Sequence, residues 1–289
     1  MIKRSNWLHL RIGFSVFLLP VFLFSLALVE EMDVGRGILT FIILHFFVYP
    51  SSNAYNSYYD KDEESIGGLK HPPEVDQSLW HLAIGFLIAS LILGLIINGS
   101  FSGMLLTYGM VSMAYSHPSI RIKKYAYSSW LIAGFFQGCF TFITAYTGMT
   151  ATGWENFTEP YLIIPGMLST LLLWSAYPLT QVYQHKEDAK RGDRTLSLRL
   201  GIQGTFAFSA LWFLLSGLAF VWYFLAYKEQ PWAVWGFLVA MAPVLLYFLI
   251  WFIFVRSNRR YANYDWTMWM NRVSAIALNG FFLWYWLKL

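Results

Sequence analysis

The chain has 289 residues, 57% of them hydrophobic and only 12% charged, with a mean hydropathy of +0.48 and a net charge of +4. This composition excludes a water-soluble domain and predicts a single polytopic membrane domain over residues 1–289. Basic loops at a membrane face account for the positive charge, which removes nucleic acid as a partner, and the lone Cys139 rules out an intrachain disulfide and makes a structural zinc site implausible.

Runs of about twenty apolar residues are needed to cross a bilayer. In chain order they predict nine helices, near 7–29, 37–59, 79–98, 103–119, 127–149, 160–183, 204–227, 231–255 and 265–287. The first run is flanked by Lys3 and Arg4 and extends to Val29, too long for a signal-peptide core, so it is expected to be retained. The fourth is the weakest, diluted by Gly103, Gly109 and Ser112 and ended by Pro118, and the ninth carries Asn271 and Arg272. With this alternation, fifteen Lys and Arg residues fall on the side of the N-terminus and three (Arg36, Lys228 and Lys288) on the other. The N-terminus and the loops after helices 2, 4, 6 and 8 are therefore predicted to be cytoplasmic, in a cytoplasmic (inner) membrane.

Helices 2 and 6 end in matched polar series. Asn53, Asn56, Asp60 and Glu64 step i, i+3, i+7, i+11, and Gln181, Gln184, Asp188 and Gly192 repeat that spacing. On a helix each series shares one face. Amides and carboxylates where hydrocarbon meets water are costly and point to function. Their hard oxygens suit Mg²⁺, which is commonly held by one or two carboxylates and the phosphate oxygens of a ligand. Asp60 and Asp188, each a turn beyond an amide, are thus expected to let the two helices clamp metal ions between them. Lys123 and Lys124 after helix 4, with Lys190, Arg191 and Arg194 after helix 6, are expected to meet the remaining phosphate charge. His45, His81 and His117 lack a partner at i+3 or i+4 and read as packed or interfacial rather than ligating. The sequence contains no P-loop, dinucleotide fingerprint, HExxH or GxSxG.

Together these segments resemble the UbiA superfamily of intramembrane prenyltransferases. NAYNSYYDKDEE (53–64) resembles its first aspartate-rich motif, and AYSHPSIRIKK (114–124) the segment after the fourth helix. QVYQHKEDAKRGDRTLSLRLG (181–201) resembles the second motif, and Arg11 with Pro20 the first helix. The resemblance implies a nine-helix bundle around a central cavity, Mg²⁺ ions, a prenyl diphosphate donor and an aromatic or other lipophilic acceptor. It implies metal coordination by Asn56, Asp60, Glu64, Gln184 and Asp188, with Asp60 and Asp188 catalytic, and substrate contacts from Asn53, Asn56, Tyr115, Lys123, Lys124, Gln181, Lys190 and Arg194. Tyr58, Tyr59 and Tyr183 could offer ring faces to an allylic cation. The chain departs from the family pattern at Ser57, Glu64, His71 and Gln184, the last removing one negative charge from the second motif. A non-catalytic membrane protein that binds or transports an isoprenoid or anionic lipid is the alternative on the same fold.

Overall fold

The computed structural model describes residues 3–289 and is all-α, with no strand among them. Arg4, one of the basic residues used to assign orientation, has its side chain outside the described set. A helix covers each of the nine predicted stretches. The first, α1, is a pair, Ser5–Phe17 and Leu19–Leu26, bent by 47°. Pro20 opens its second half, where a missing N–H and a fixed φ prevent one straight helix. The long helices that follow are α2 (Val34–Asp60), α3 (Gln77–Ile97), α4 (Gly99–Ser116), α5 (Ala126–Thr150) and α6 (Pro160–Gln181). After them come a short α7 (His185–Arg191), α8 (Leu196–Tyr227), α9 (Pro231–Ser257) and α10 (Tyr264–Lys288).

Side-chain caps set several of these boundaries. Asp33, Asp76, Asn98 and Asn263 each accept a hydrogen bond from a backbone N–H in the first turn that follows. Asn98 both ends α3 and caps α4, so the two pack as a tight hairpin. Three helices carry a π-turn: Ile43–Val48 in α2, just before Pro50, Phe136–Phe140 in α5 and Tyr223–Tyr227 in α8. Pro50 cannot donate its amide, which leaves the preceding turn free to widen. In α5 the turn brings Gly138 against α6, where a Cβ would lie 2.5 Å from the Thr170 Cα, so only glycine permits this approach.

Aromatic rings fill the centre of the bundle. Phe24 stacks on Phe282 at 4.5 Å and Phe220 on Phe237 at 4.6 Å, with Tyr223, Phe206 and Trp251 also fully buried. The outer surface is equally apolar: Ile88, Ile92, Leu95 and Ile96 on α3 and Leu246, Leu249 and Ile253 on α9 are exposed. Stripes of this size are tolerated only against lipid.

Among the described residues six helices are long and apolar enough to cross a membrane, and the bent pair raises the number to seven. The chain is therefore a multi-pass membrane protein. The two long helices outside that set are α4, whose stretch has the weakest sequence pattern, and α10, whose stretch carries Asn271 and Arg272. Their polarity has an internal use: Ser112, Tyr115 and Ser116 of α4, and Asn271 and Ser274 of α10, line a cavity inside the bundle.

Candidate active site

That cavity has a volume of about 380 Å³. Its mouth is formed by the ends of α2, α4 and α6, by α7 and by the loop at 121–124. Its deeper wall is apolar, with Phe17, Val21, Phe136, Leu172 and Phe282 among the lining side chains.

Asn53, Asn56 and Asp60 point into the mouth from the last turns of α2. Asn53 donates to the Leu10 carbonyl at 3.3 Å, and Asn56 donates through Nδ2 to Ser116 Oγ at 2.8 Å, leaving its amide oxygen without a protein partner. Asp60 is only 9% exposed and pairs directly with the equally buried Lys123, while Arg121 lies 3.6 Å from its Oδ1. That oxygen accepts no hydrogen bond.

The helix stops there. Lys61 takes a left-handed conformation (φ 49°), so the chain turns away and the predicted fourth member of the series leaves the face. Glu64 is exposed and pairs with Lys186 at 2.5 Å; it does not line the cavity. Asp62 lines it instead, buried against Arg191. The second series is also broken. Gln181 closes a 3-10 turn at the end of α6, Gln184 precedes α7, and Gly192 ends α7 with φ 75°. Gln181, Gln184 and Asp188 still line the cavity, because the break re-aims α7 across its mouth.

The expected basic residues divide in two. Lys123 and Arg191 are in the cavity wall. Lys124, Lys190 and Arg194 are not: Lys124 lies over the Tyr125 ring at 4.9 Å, Lys190 pairs with Glu63 at 3.0 Å in solvent, and Arg194 is exposed. Arg194 contributes through its backbone, whose N–H donates to the Lys124 carbonyl at 3.2 Å and staples the two loops together.

Arg191, one of the expected phosphate partners, also lines the cavity, and Asp193 and Arg11 complete the mouth with it. Arg191 is a hub, touching Asp62, Glu187 at 3.5 Å, Asp188 at 3.2 Å and Asp193 at 3.5 Å. Asp193 also receives a bidentate bond from Arg121, 2.8 Å on each side. Arg11, itself left-handed at φ 47°, crosses the mouth to donate to the carbonyls of Asn53 and Gly67, both at 3.0 Å. Its Nε is buried without a partner. The pairs of Arg191 with Glu187, Asp188 and Asp193 are local in sequence, whereas those of Arg191 with Asp62, of Arg121 with Asp193 and of Arg11 with Asn53 and Gly67 are not. Tyr115, expected to contact substrate, lines the cavity with its hydroxyl on that of Tyr177.

Burial pushes the Asp188 carboxyl up to about 6, against the downward pull of the Thr195 hydroxyl, which donates to it at 3.0 Å, and of Arg191 and Lys123. A charge left this poorly solvated gains strongly from an added cation. Among the described residues no three His, Cys, Asp or Glu side chains converge as a ready metal cage. The acids are instead each held by a basic side chain. The donor set nonetheless fits a hard divalent ion: carboxylate and amide oxygens predominate, and one buried Asp60 oxygen accepts no hydrogen bond.

The family model of the UbiA prenyltransferase family matches residues 17–274, most of the chain and both acidic segments. The chain belongs to the UbiA prenyltransferase family. Members of this family are prenyltransferases. The same fold occurs in a UbiA homologue from Archaeoglobus fulgidus bound to GPP and Mg²⁺, with a TM-score of 0.67, 19% identity and 98% of each chain covered. The structure of that homologue bound to DMAPP and Mg²⁺ gives 0.66, 16% identity and coverage of 99% of this chain and 100% of the other. A structure of digeranylgeranylglyceryl phosphate synthase gives 0.59 and 17% identity over 99% of each chain. No curated protein matches this chain.

Proposed function

We propose that this UbiA family protein carries out Mg²⁺-dependent transfer of a prenyl group from an isoprenoid diphosphate to an aromatic or other lipophilic acceptor inside the bilayer. One observation carries the reading: Asp60 and Asp188, from separate motifs, face the same cavity mouth beside Lys123 and Arg191, above an apolar chamber. The A. fulgidus homologue bound to prenyl diphosphates and Mg²⁺ supports it.

Asn56, Asp60, Gln184 and Asp188 would hold the metal, with Asp62 in the position expected of Glu64. Mg²⁺ when bound supplies Lewis acidity toward the leaving diphosphate. Lys123 and Arg191, already at the mouth, would turn from their carboxylates to phosphate oxygens and take up charge as the allylic C–O bond breaks. The bond's electron pair leaves with the diphosphate. The carbocation remains in the apolar chamber, where water is excluded, and the rings of Tyr115 and Tyr177 line its route. The acceptor carbon then forms the new bond and loses its proton.

The same reading takes nine crossings, with α4 and α10 shielded from lipid on their polar faces, and places the mouth at the cytoplasmic leaflet of a cytoplasmic membrane, on the side rich in Lys and Arg. Membranes containing the protein, given geranyl diphosphate, Mg²⁺ and a panel of phenolic acceptors, should yield pyrophosphate and a prenylated product, both abolished by EDTA. Isoprenoid binding without pyrophosphate release would identify a carrier instead.

A pH dependence follows. Below about pH 6 the Asp188 carboxyl carries a proton that Mg²⁺ must displace, so metal affinity tightens from pH 5 to 7 and levels off above. The Mg²⁺-induced rise in unfolding temperature, measured across that range, should follow this curve and lose its slope in Asp188→Asn. An equal Mg²⁺ effect at pH 5 and 7 would remove Asp188 from the ligand set.

A further inference from the structure

Deeper in the cavity are polar groups that the diphosphate chemistry does not use. Gln137 lines it from the π-turn of α5, and Asn271 and Ser274 line it from α10. None of the three makes a side-chain hydrogen bond among the described residues, and all are partly accessible. Gln137 lies about 16 Å along α5 from Ala126, and Asn271 and Ser274 about 10 and 15 Å along α10 from Tyr264, at a rise of about 1.5 Å per residue. Both helices begin at the mouth: Ala126 follows the Lys123 loop, and the Tyr264 ring meets that of Tyr183 at 5.6 Å. These amides therefore sit well below the ionic cage, at a depth where unpaired polar groups are costly.

A prenyl tail cannot satisfy them, because hydrocarbon neither donates nor accepts. An occupant of this level must bring its own hydrogen-bonding atoms. It must also be uncharged there, since the basic side chains of the cavity, Arg11, Lys123 and Arg191, are all tied to groups at the mouth. An amide offers both a donor and an acceptor, the match for a hydroxyl or carbonyl rather than a carboxylate.

We propose that Gln137, Asn271 and Ser274 form a subsite for the acceptor, and that it selects a neutral hydroxyl- or carbonyl-bearing ring over a carboxylate-bearing one. This rests on the prenyl-transfer reading for its name, but not for its test. The probes are 1-naphthol and 1-naphthoate, which share a ring and differ in the charged group. Their binding is measured by equilibrium dialysis against nanodiscs with and without the protein, with neither Mg²⁺ nor donor present. Protein-dependent binding of 1-naphthol should exceed that of 1-naphthoate by about ten-fold or more. Gln137→Leu and Asn271→Leu should each weaken 1-naphthol by about three- to ten-fold, as expected for one lost hydrogen bond, and Asn271→Gln should largely restore it. Naphthoate bound as tightly as naphthol would overturn the proposal. So would Leu variants that keep the unaltered affinity, which would mean that water alone fills this level. Where a Leu variant does not fold, the naphthol-to-naphthoate ratio of the unaltered protein decides. Loss of prenyl transfer in the membrane assay leaves this readout untouched, so the two readings fail separately.

Discussion

Asp60→Asn is expected to lower prenyl transfer by about 10²–10³-fold and also to destabilise the fold by about 3–5 kcal/mol. The two losses have different origins and can be separated. Asp60 is the acid at the end of α2, and its partner Lys123 is itself only 7% exposed. With a neutral amide at position 60, the Lys123 ammonium keeps only Asp193, 4.0 Å away, within salt-bridge distance among the described residues. A buried cation left this way is the costly outcome, far more so than removing both partners together. The double variant Asp60→Asn with Lys123→Met should therefore regain most of the unfolding temperature and none of the activity. Unfolding in nanodiscs and pyrophosphate release, measured on the same preparations, give the two numbers. A double variant that recovers turnover would show that neither group acts on the diphosphate.

How much of this site could be read from the sequence depended on whether the backbone stayed helical. Asn53, Asn56 and Asp60 belong to one unbroken helix, so the i, i+3, i+7 spacing translated directly into a shared face. The extension to Glu64 failed because the next residue, Lys61, adopts a left-handed conformation that lysine seldom takes and that no local pattern announces. The second series failed as a helix face yet delivered its residues, since α7 re-enters the mouth after a break at Gln184. Side-chain charge misled in a similar way. Lys123 and Lys124 are neighbours of equal charge, but a single 3-10 turn buries one and leaves the other on a tyrosine ring. The pairing of Arg121 with Asp193 links residues 72 apart and leaves no trace in either segment. The helices themselves were legible throughout, because a bilayer demands long apolar runs. The weakest pattern belongs to α4, because part of it faces the cavity rather than lipid or core, and the polar Asn271 of α10 faces the same cavity.

Arg191 offers the sharpest test of how the mouth is balanced. Among the described residues it alone touches four carboxylates, those of Asp62, Glu187, Asp188 and Asp193. Arg191→Met keeps volume and removes the charge, leaving the acids to repel one another in a poorly solvated pocket. Breaking a buried pair costs about 3–5 kcal/mol, so the unfolding temperature should fall by on the order of 10 °C. A divalent ion can gather the same oxygens, so millimolar Mg²⁺ should stabilise this variant more than it stabilises the unaltered protein. Turnover should respond differently. If the guanidinium stabilises the departing diphosphate, pyrophosphate release stays about 10²-fold low even at saturating Mg²⁺. Arg191→Lys should fall between the two, since a point charge can neutralise but cannot fork across two oxygens. Should Mg²⁺ restore both stability and turnover to Arg191→Met, the residue is a counter-ion for the acidic cage and the work of meeting phosphate falls to Lys123 and Arg11. Equal stabilisation of variant and unaltered protein by Mg²⁺ would place the metal away from these four acids altogether.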